Sequence, residues 1–353
     1  MPVWRSQRTI GPLTLATLIA GSAVVAQQPP RYVERVEVAR LIVDARVLDD
    51  QGRPVTGLTA EDFKVSIDGK NARVETATWM GGGPATEETF TPSDPVTSDA
   101  DREPPPLPGR LIVFLFQKDL ESSRIVGLMR MLLKSREIIR TLTANDRVAI
   151  LSFDSRLRIW TDFTNDVERL DRILSHDLLL EQPPPIETSS APSLVERLGP
   201  DEARRTYGIE RAMALIGEAL EPLPGAKSLV LIGYGFGRLG LSGVAMENDY
   251  GAARHALVAA RTSVFSLDVT NADYHSLEAG LQLVSEQTGG FYARTHIFPD
   301  LAMRQLEGAL AGYYALFVEK PDTTRTIHEV KTELTRRKTG NVFALSNFSD
   351  KSQ

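Results

Sequence analysis

From Arg110 to Gly312 the chain alternates short apolar runs with amphipathic stretches, and this rhythm constrains the fold more than any other feature. Leu111 to Phe116 is a continuous apolar run, as a strand buried on both faces requires. Ile125, Leu128, Met129 and Leu132 follow at helical spacing, with Ile139 and Leu142 prolonging that face. Val148–Phe153 reads as a second strand, Leu157–Thr161 as a short third, and 167–174 as a small helix. After a Pro- and Ser-rich loop at 182–200, Ile209, Ala212, Met213, Ile216 and Leu220 mark a helix that Pro222, Pro224 and Gly225 stop. Leu229–Ile232, Ser263–Leu267 and Phe291–Ala293 are further strands, with helices at 250–261, 275–287 and 299–312. Repeated alternation of this kind predicts an α/β fold: a doubly wound, mostly parallel sheet with helices on both faces.

The ends of the chain follow a different period. Val36, Val38, Leu41, Val43, Ala45 and Val47 alternate with polar residues, Asp49–Gly52 is a turn signal, and Phe63, Val65 and Ile67 alternate again before an Asp68-Gly69 hairpin turn. Tyr313–Val318, Ile327–Leu334 and Val342–Phe348 read as strands as well. Neither set makes a stable sheet alone. The N-terminal β segment (31–80) is therefore expected to pair with the C-terminal one (313–350) in a small β-sandwich-like domain. The α/β domain (110–312) would then be an insertion, entered through a flexible Gly-, Pro- and Thr-rich linker at 81–109.

Residues 1–26 stand apart. Arg5 and Arg8 precede an apolar stretch from Ile10 to Val25, and Val24 and Ala26 supply the small residues of a cleavage site before Gln27. This pattern reads as a secretory signal peptide, with an uncleaved anchor as the alternative. No other segment is long and apolar enough to span a bilayer. Export to the periplasm or beyond is the expectation, and cleavage would leave a chain two units more negative than its formal −6. Such a chain is a poor ligand for nucleic acid, where affinity comes from neutralising phosphates. With no cysteine, disulfides, thiolate catalysis and Cys-ligated zinc are excluded.

Several segments resemble bacterial proteins related to the von Willebrand factor A (VWA) domain, of the acidobacterial type. They include VLDDQGRPVTGLTAEDFKVSIDG (47–69), NDRVAILSF (145–153), TDFTNDVERL (161–170), LPGAKSLVLI (223–232), TSVFSLDV, LQLVSEQTGGFYAR, YYALFVE and HEVKTEL, in the family's order. The resemblance covers nearly all of the mature chain. It implies a VWA/Rossmann-like sheet and a non-catalytic protein-binding role at the sheet's C-terminal edge. It also implies a metal-ion-dependent adhesion site there: Asp-x-Ser-x-Ser after the first strand, a loop Thr, and an Asp after the fourth, holding Mg²⁺ by oxygen ligands.

This sequence departs from that pattern. Gln117 stands where the first Asp belongs, Asp119 and Glu121 where the serines belong, and Tyr234 in place of the distal Asp. Asp119, Glu121, Ser123 and Thr206 remain as candidate ligands, and the site reads as degenerate, with no cofactor expected. The same edge, built from Gln117, Asp119, Glu121, Ser122, Thr206, Tyr234, Phe236 and Arg238, is the candidate partner-binding face for an unidentified protein of the cell envelope or beyond. Gly235-Phe-Gly-Arg-Leu-Gly240 fits G-x-G-x-x-G and supports an alternative: an enzyme or nucleotide-binding protein using this glycine loop. No H-E-x-x-H or G-x-S-x-G occurs, and His255 and His275 are placed in helices as surface or packed residues.

Overall fold

The computed structural model describes residues 40–81, 109–186, 192–241, 243–321, 325–335 and 338–349. The expected signal peptide, residues 31–39, nearly all of the linker and part of the 182–200 loop lie outside the described residues.

The chain enters through β1 (Arg40–Leu48), and Asp49 caps the following turn by accepting from the Gln51 and Arg53 N–H groups at 2.9 and 2.8 Å. β2 (Phe63–Ile67) and β3 (Lys70–Ala72) form a hairpin through Asp68 and Gly69, at φ 52° and 77°. Both central residues of such a turn must be left-handed, which is why Asp-Gly suits it. β4 (Val74–Gly81) follows.

Beyond the linker come β5 (Leu111–Gln117), α1 (Ser122–Ile139), β6 (Arg147–Phe153), β7 (Leu157–Thr164) and α2 (Val167–Arg172). The last runs through a π turn (Ile173–Asp177) into α3 (Leu178–Leu180). α4 (Pro200–Arg204), α5 (Ile209–Leu220) and β8 (Lys227–Gly233) lead to a short hairpin, β9 (Arg238–Gly240) with β10 (Gly243–Ala245). α6 (Tyr250–Ala259), β11 (Thr262–Asp268), α7 (Glu278–Thr288), β12 (Tyr292–Arg294) and α8 (Pro299–Ala311) complete this part. Four strands remain: β13 (Gly312–Glu319), β14 (Ile327–Leu334), β15 (Asn341–Ala344) and β16 (Asn347–Ser349).

The protein is a mixed α/β structure with a mostly parallel six-stranded sheet, in the order β12-β11-β8-β5-β6-β7, and additional antiparallel sheets. Only β7 runs against its neighbour. Asp154–Arg156 alone separate it from β6, too few residues for a parallel crossover. β5 shows why its apolar run is continuous. Leu111, Val113 and Leu115 pack with Met213 and Ile216 of α5 and Leu257 of α6. Ile112, Phe114 and Phe116 pack on the opposite face with Met131 and Ile138 of α1 and Leu306 of α8. The expected inner face of α1 needs one correction. Met129 is 50% exposed and Met131 is buried in its place. Leu128, Met131, Leu132, Ser135, Ile138 and Ile139 form the inward stripe at spacings of three and four, and position 129 falls outside it.

The strands from the two ends share backbone hydrogen bonds. One antiparallel sheet has the order β15-β1-β13-β4, so that Leu316 of β13 faces Val43 on one side and Ala77 on the other. A second has the order β16-β14-β2-β3. Val43, Ala45 and Val47, Phe63, Val65 and Ile67, Tyr314 and Leu316, and Val330 and Phe348 contribute to one apolar cluster. The buried Tyr314 hydroxyl ties in the preceding loop, donating to the Val55 carbonyl and accepting from the Leu58 N–H, both at 3.0 Å.

β1 is not the half-buried strand its alternation suggests, because its polar face is covered too. Arg46 donates from Nη1 to the Ser263 hydroxyl at 2.6 Å and from Nε to the Ala309 carbonyl at 3.0 Å, and Asp44 pairs with Arg261. Ser263 opens β11 and Ala309 lies in α8, so the hidden face of β1 lies against the α/β part.

Candidate functional site

The C-terminal ends of β5, β8, β11 and β12 define one edge of the parallel sheet, the place where open α/β sheets receive ligands. Gln117 ends β5 and is buried. Its amide Nε2 donates to the Gly235 carbonyl at 2.9 Å, and its Oε1 accepts from the Tyr234 and Gly235 N–H groups at 3.1 and 3.2 Å. An aspartate could accept here but could not donate. Gln117 is therefore a tie that shapes the turn after β8, and it is not available to a partner. The glycines belong to this tie. A Cβ on Gly233 would lie 2.2 Å from Gln117 Oε1, and one on Gly235, which sits at φ +104°, would lie 2.3 Å from the Leu277 carbonyl.

Asp119 and Glu121 occupy the turn into α1. Asp119 Oδ1 accepts from the Glu121 N–H at 2.9 Å, and its Oδ2 pairs with Arg124, which also reaches Glu121 at 3.4 Å. Burial pushes the Asp119 carboxyl up, but the Glu121 N–H and the Arg124 guanidinium more than offset it and hold it below the usual range. The Arg124 guanidinium lies 4.1 Å over the Tyr234 ring, a stacked cation.

These residues do not fit the metal that a VWA-like fold would imply. A neutral amide already engaged at both ends replaces one acid, a phenol replaces another, and a fixed cation sits among the remaining two carboxylates. The other candidate ligands do not join them. Ser123 offers its carbonyl to the Asn271 N–H at 2.8 Å, and the buried Thr206 donates its hydroxyl to the Glu202 carbonyl at 2.9 Å. A shallow cavity of about 620 Å³ beside Thr206 is lined by Arg205, Tyr207, Arg211 and Asp249.

The expected partner-binding face is accordingly smaller. Ser122, Glu121 and Arg238 are exposed, and Asp119 and Tyr234 are half-buried. Phe236 is only 4% exposed and packs against Tyr250, with ring centroids 6.2 Å apart. Gln117, Thr206 and Phe236 thus leave the face, because each is spent on internal contacts. The glycine-rich stretch does not lead into a helix. It forms the β9/β10 hairpin, and α6 starts only at Tyr250. A phosphate loop needs the helix N-terminus directly behind its glycines, so the cofactor-loop geometry is missing here. The hairpin instead presents Leu239, 63% exposed, and a fully exposed Leu241.

One polar group on this edge escapes any reading of linear motifs. Asp268 ends β11 and is 2% exposed. Its Oδ1 accepts from the Thr270 N–H at 2.9 Å, and its Oδ2 lies 2.7 Å from His275 Nε2 and 2.9 Å from the Tyr292 hydroxyl. That hydroxyl is also 3.0 Å from Glu278 Oε2, and Arg294 grips both Glu278 oxygens at 2.8 and 3.1 Å. Burial raises the Glu278 carboxyl, but Arg294 and Tyr292 outweigh it and keep it low; burial and the Asp268 charge push the Tyr292 hydroxyl far up. His275 is not helical, because α7 begins only at Glu278 and the imidazole sits in the preceding loop. The residues are spread from 268 to 294 and share no compact motif. An Asp at a strand's C-terminal end, followed by a His and a Glu three residues apart, is the only sequence signal of them.

No protein-family model matches the sequence, and neither does any curated protein. Among solved structures the chain is similar to a von Willebrand factor type A protein from Catenulispora acidiphila, at 9% identity and a TM-score of 0.42, over 89% of this chain and 74% of that one. It is also similar to the conserved hypothetical protein BatB from Bacteroides thetaiotaomicron, at 14% identity and a TM-score of 0.37, over 57% of this chain and 99% of that one. A third likeness is to proximal thread matrix protein 1 from the mussel byssus, at 12% identity and a TM-score of 0.39 over 58% of this chain. The chain spans about half of that mussel protein's length, 48%.

Proposed function

We propose that the chain is an exported, non-catalytic interaction module of VWA-like type. A partner protein of the cell envelope or beyond would dock on the C-terminal edge of the six-stranded sheet, where the adhesion site is degenerate and Arg124 stands in place of the metal. The β9/β10 hairpin carries this reading. It stands at the ligand-receiving edge and holds Leu239 and Leu241 out in water, beside Arg238. Exposed leucines cost solvation without any return in folding, and two of them two residues apart at such an edge are what an interface offers. Asp119, Glu121 and Arg124 supply a charged rim next to it.

The division into a VWA-like domain (110–312) inserted in a β-sandwich-like one (31–80 with 313–350) is supported by the pairing of β1 and β4 with β13. No helix among the described residues is long and apolar enough to cross a membrane. Export itself rests on the 1–26 pattern, and N-terminal sequencing of the secreted chain should begin near Gln27.

The binding reading is tested by affinity capture from the native envelope, comparing the wild type with a Leu239→Ser, Leu241→Ser variant of unchanged melting temperature. The principal captured protein should fall at least about tenfold, the equivalent of ~1.4 kcal/mol. Equal capture by both would move the interface away from the hairpin.

A further inference from the structure

We propose that Asp268, His275 and Glu278 form a site for a zinc-type divalent cation, steered by Tyr292 and Arg294. One ligand atom from each of Asp268, His275 and Glu278 lies within 4.8 Å of the other two. A zinc ion sits about 2.0–2.2 Å from nitrogen and oxygen ligands, so a common centre lies within reach of small side-chain rotations.

The convergence of two buried carboxylates favours a cation over a closed polar network. Three short contacts join these groups: His275 to Asp268 at 2.7 Å, Tyr292 to Asp268 at 2.9 Å and Tyr292 to Glu278 at 3.0 Å. The single Tyr292 hydroxyl faces both buried carboxylates, Asp268 and Glu278, which are 2% and 4% exposed. A divalent ion between the carboxylates supplies positive charge where two buried acids converge. Arg294 pairs with Glu278 from a side chain that is 41% exposed.

The donor set selects the ion. Magnesium wants six oxygens in an octahedron, whereas one imidazole with two carboxylates is a mixed nitrogen and oxygen set that suits zinc. Supporting contacts are in place. The Thr270 N–H fixes the free oxygen of Asp268, and Arg294 orients Glu278. Ligation through Nε2 moves the imidazole proton to Nδ1, and Tyr292 keeps its own. The site lies at the end of β11, and the His275 side chain is 18% exposed, which leaves a way in on that side.

The test uses the untagged full chain, stripped with chelator and titrated with zinc chloride alone, read by calorimetry and by metal content after gel filtration. One equivalent should bind, magnesium chloride should not compete at equal concentration, and cobalt should give a visible absorption band. His275→Ala should weaken binding by more than the ~100-fold that losing an outer partner costs. Glu278→Gln and Asp268→Asn should do the same, and His296→Ala, at the separate His296–Asp273 pair, should leave it unchanged. If Asp268→Asn does not fold, His275→Ala, at the more exposed ligand, decides alone. No zinc binding by the wild type, or binding that persists within about threefold in folded His275→Ala, overturns the assignment.

Discussion

Replacing Lys227 by Met should make the protein more stable at neutral pH. Lys227 opens β8 and is 2% exposed. Its ammonium donates to the Ala260 carbonyl at 2.8 Å and feels the charge of Arg261, which Asp44, paired with Arg261, partly offsets. Burial, and then the Arg261 charge, push the Lys227 ammonium down to about 8 from 10.5. That fall corresponds to a penalty on the order of 3 kcal/mol for holding the charged form at pH 7. Met removes the charge at similar length and fills the same space. It also takes the shorter donor from the Ala260 carbonyl, which keeps only the Thr262 hydroxyl at 3.4 Å, at a cost of ~1–2 kcal/mol. The expected net gain at pH 7 is about 1–2 kcal/mol.

The pH dependence carries the same logic. Between about 8 and 10.5 the unfolded chain holds the Lys227 proton that the native state has released, so stability rises with pH; below 8 both states are protonated and the full penalty is present. Urea unfolding of wild type and Lys227→Met at pH 7, 8, 9 and 10 should show the wild type catching up as pH rises. The comparison cancels the tyrosines, whose raised hydroxyls titrate in both chains. A variant less stable than the wild type at pH 7, with a difference that stays flat to pH 10, would refute the claim that this ammonium is held against its solvation.

Three further outcomes are expected. Burial opposes ionisation of Asp146, but Arg110 and Thr143 hold it down at about 2, so its contribution is present above 3.8 and is lost as pH falls toward 2. Asp146→Asn should cost about 2 kcal/mol at pH 6 and flatten the acid limb between pH 4 and 2 in thermal melts. Millimolar magnesium should not raise the melting temperature, whereas a specific ligand at a hundred times its Kd would add ~2.7 kcal/mol; a rise abolished by Asp119→Ala would refute the view that Arg124 displaces the ion. A panel of NAD, ATP and GTP should leave the melting temperature unchanged, and a shift lost on Arg238→Ala would restore the glycine loop as a nucleotide site.

What the sequence determined by itself is what local chemistry decides. The buried strand at 111–116, the helices at 122–139 and 209–220, and the Asp68-Gly69 turn each follow from a period or a backbone requirement confined to neighbouring residues. The mixed α/β character with a mostly parallel sheet follows from the order of those elements. Burial, by contrast, depends on what arrives from elsewhere in the chain. Arg46 looks like the solvent side of a strand until β11 and α8 supply Ser263 and the Ala309 carbonyl. Phe236 looks like an exposed anchor until Tyr250 covers it, and Gln117 looks like a failed ligand until the turn after β8 uses both ends of its amide. Asp268, His275, Glu278 and Tyr292 become a single group only because β11 and β12 are paired and α7 starts beside them. Their chemistry is long-range by construction. A carboxylate or imidazole is the same residue in any window of sequence, and only the three-dimensional chain sets the few ångströms over which charge, desolvation and ligation act.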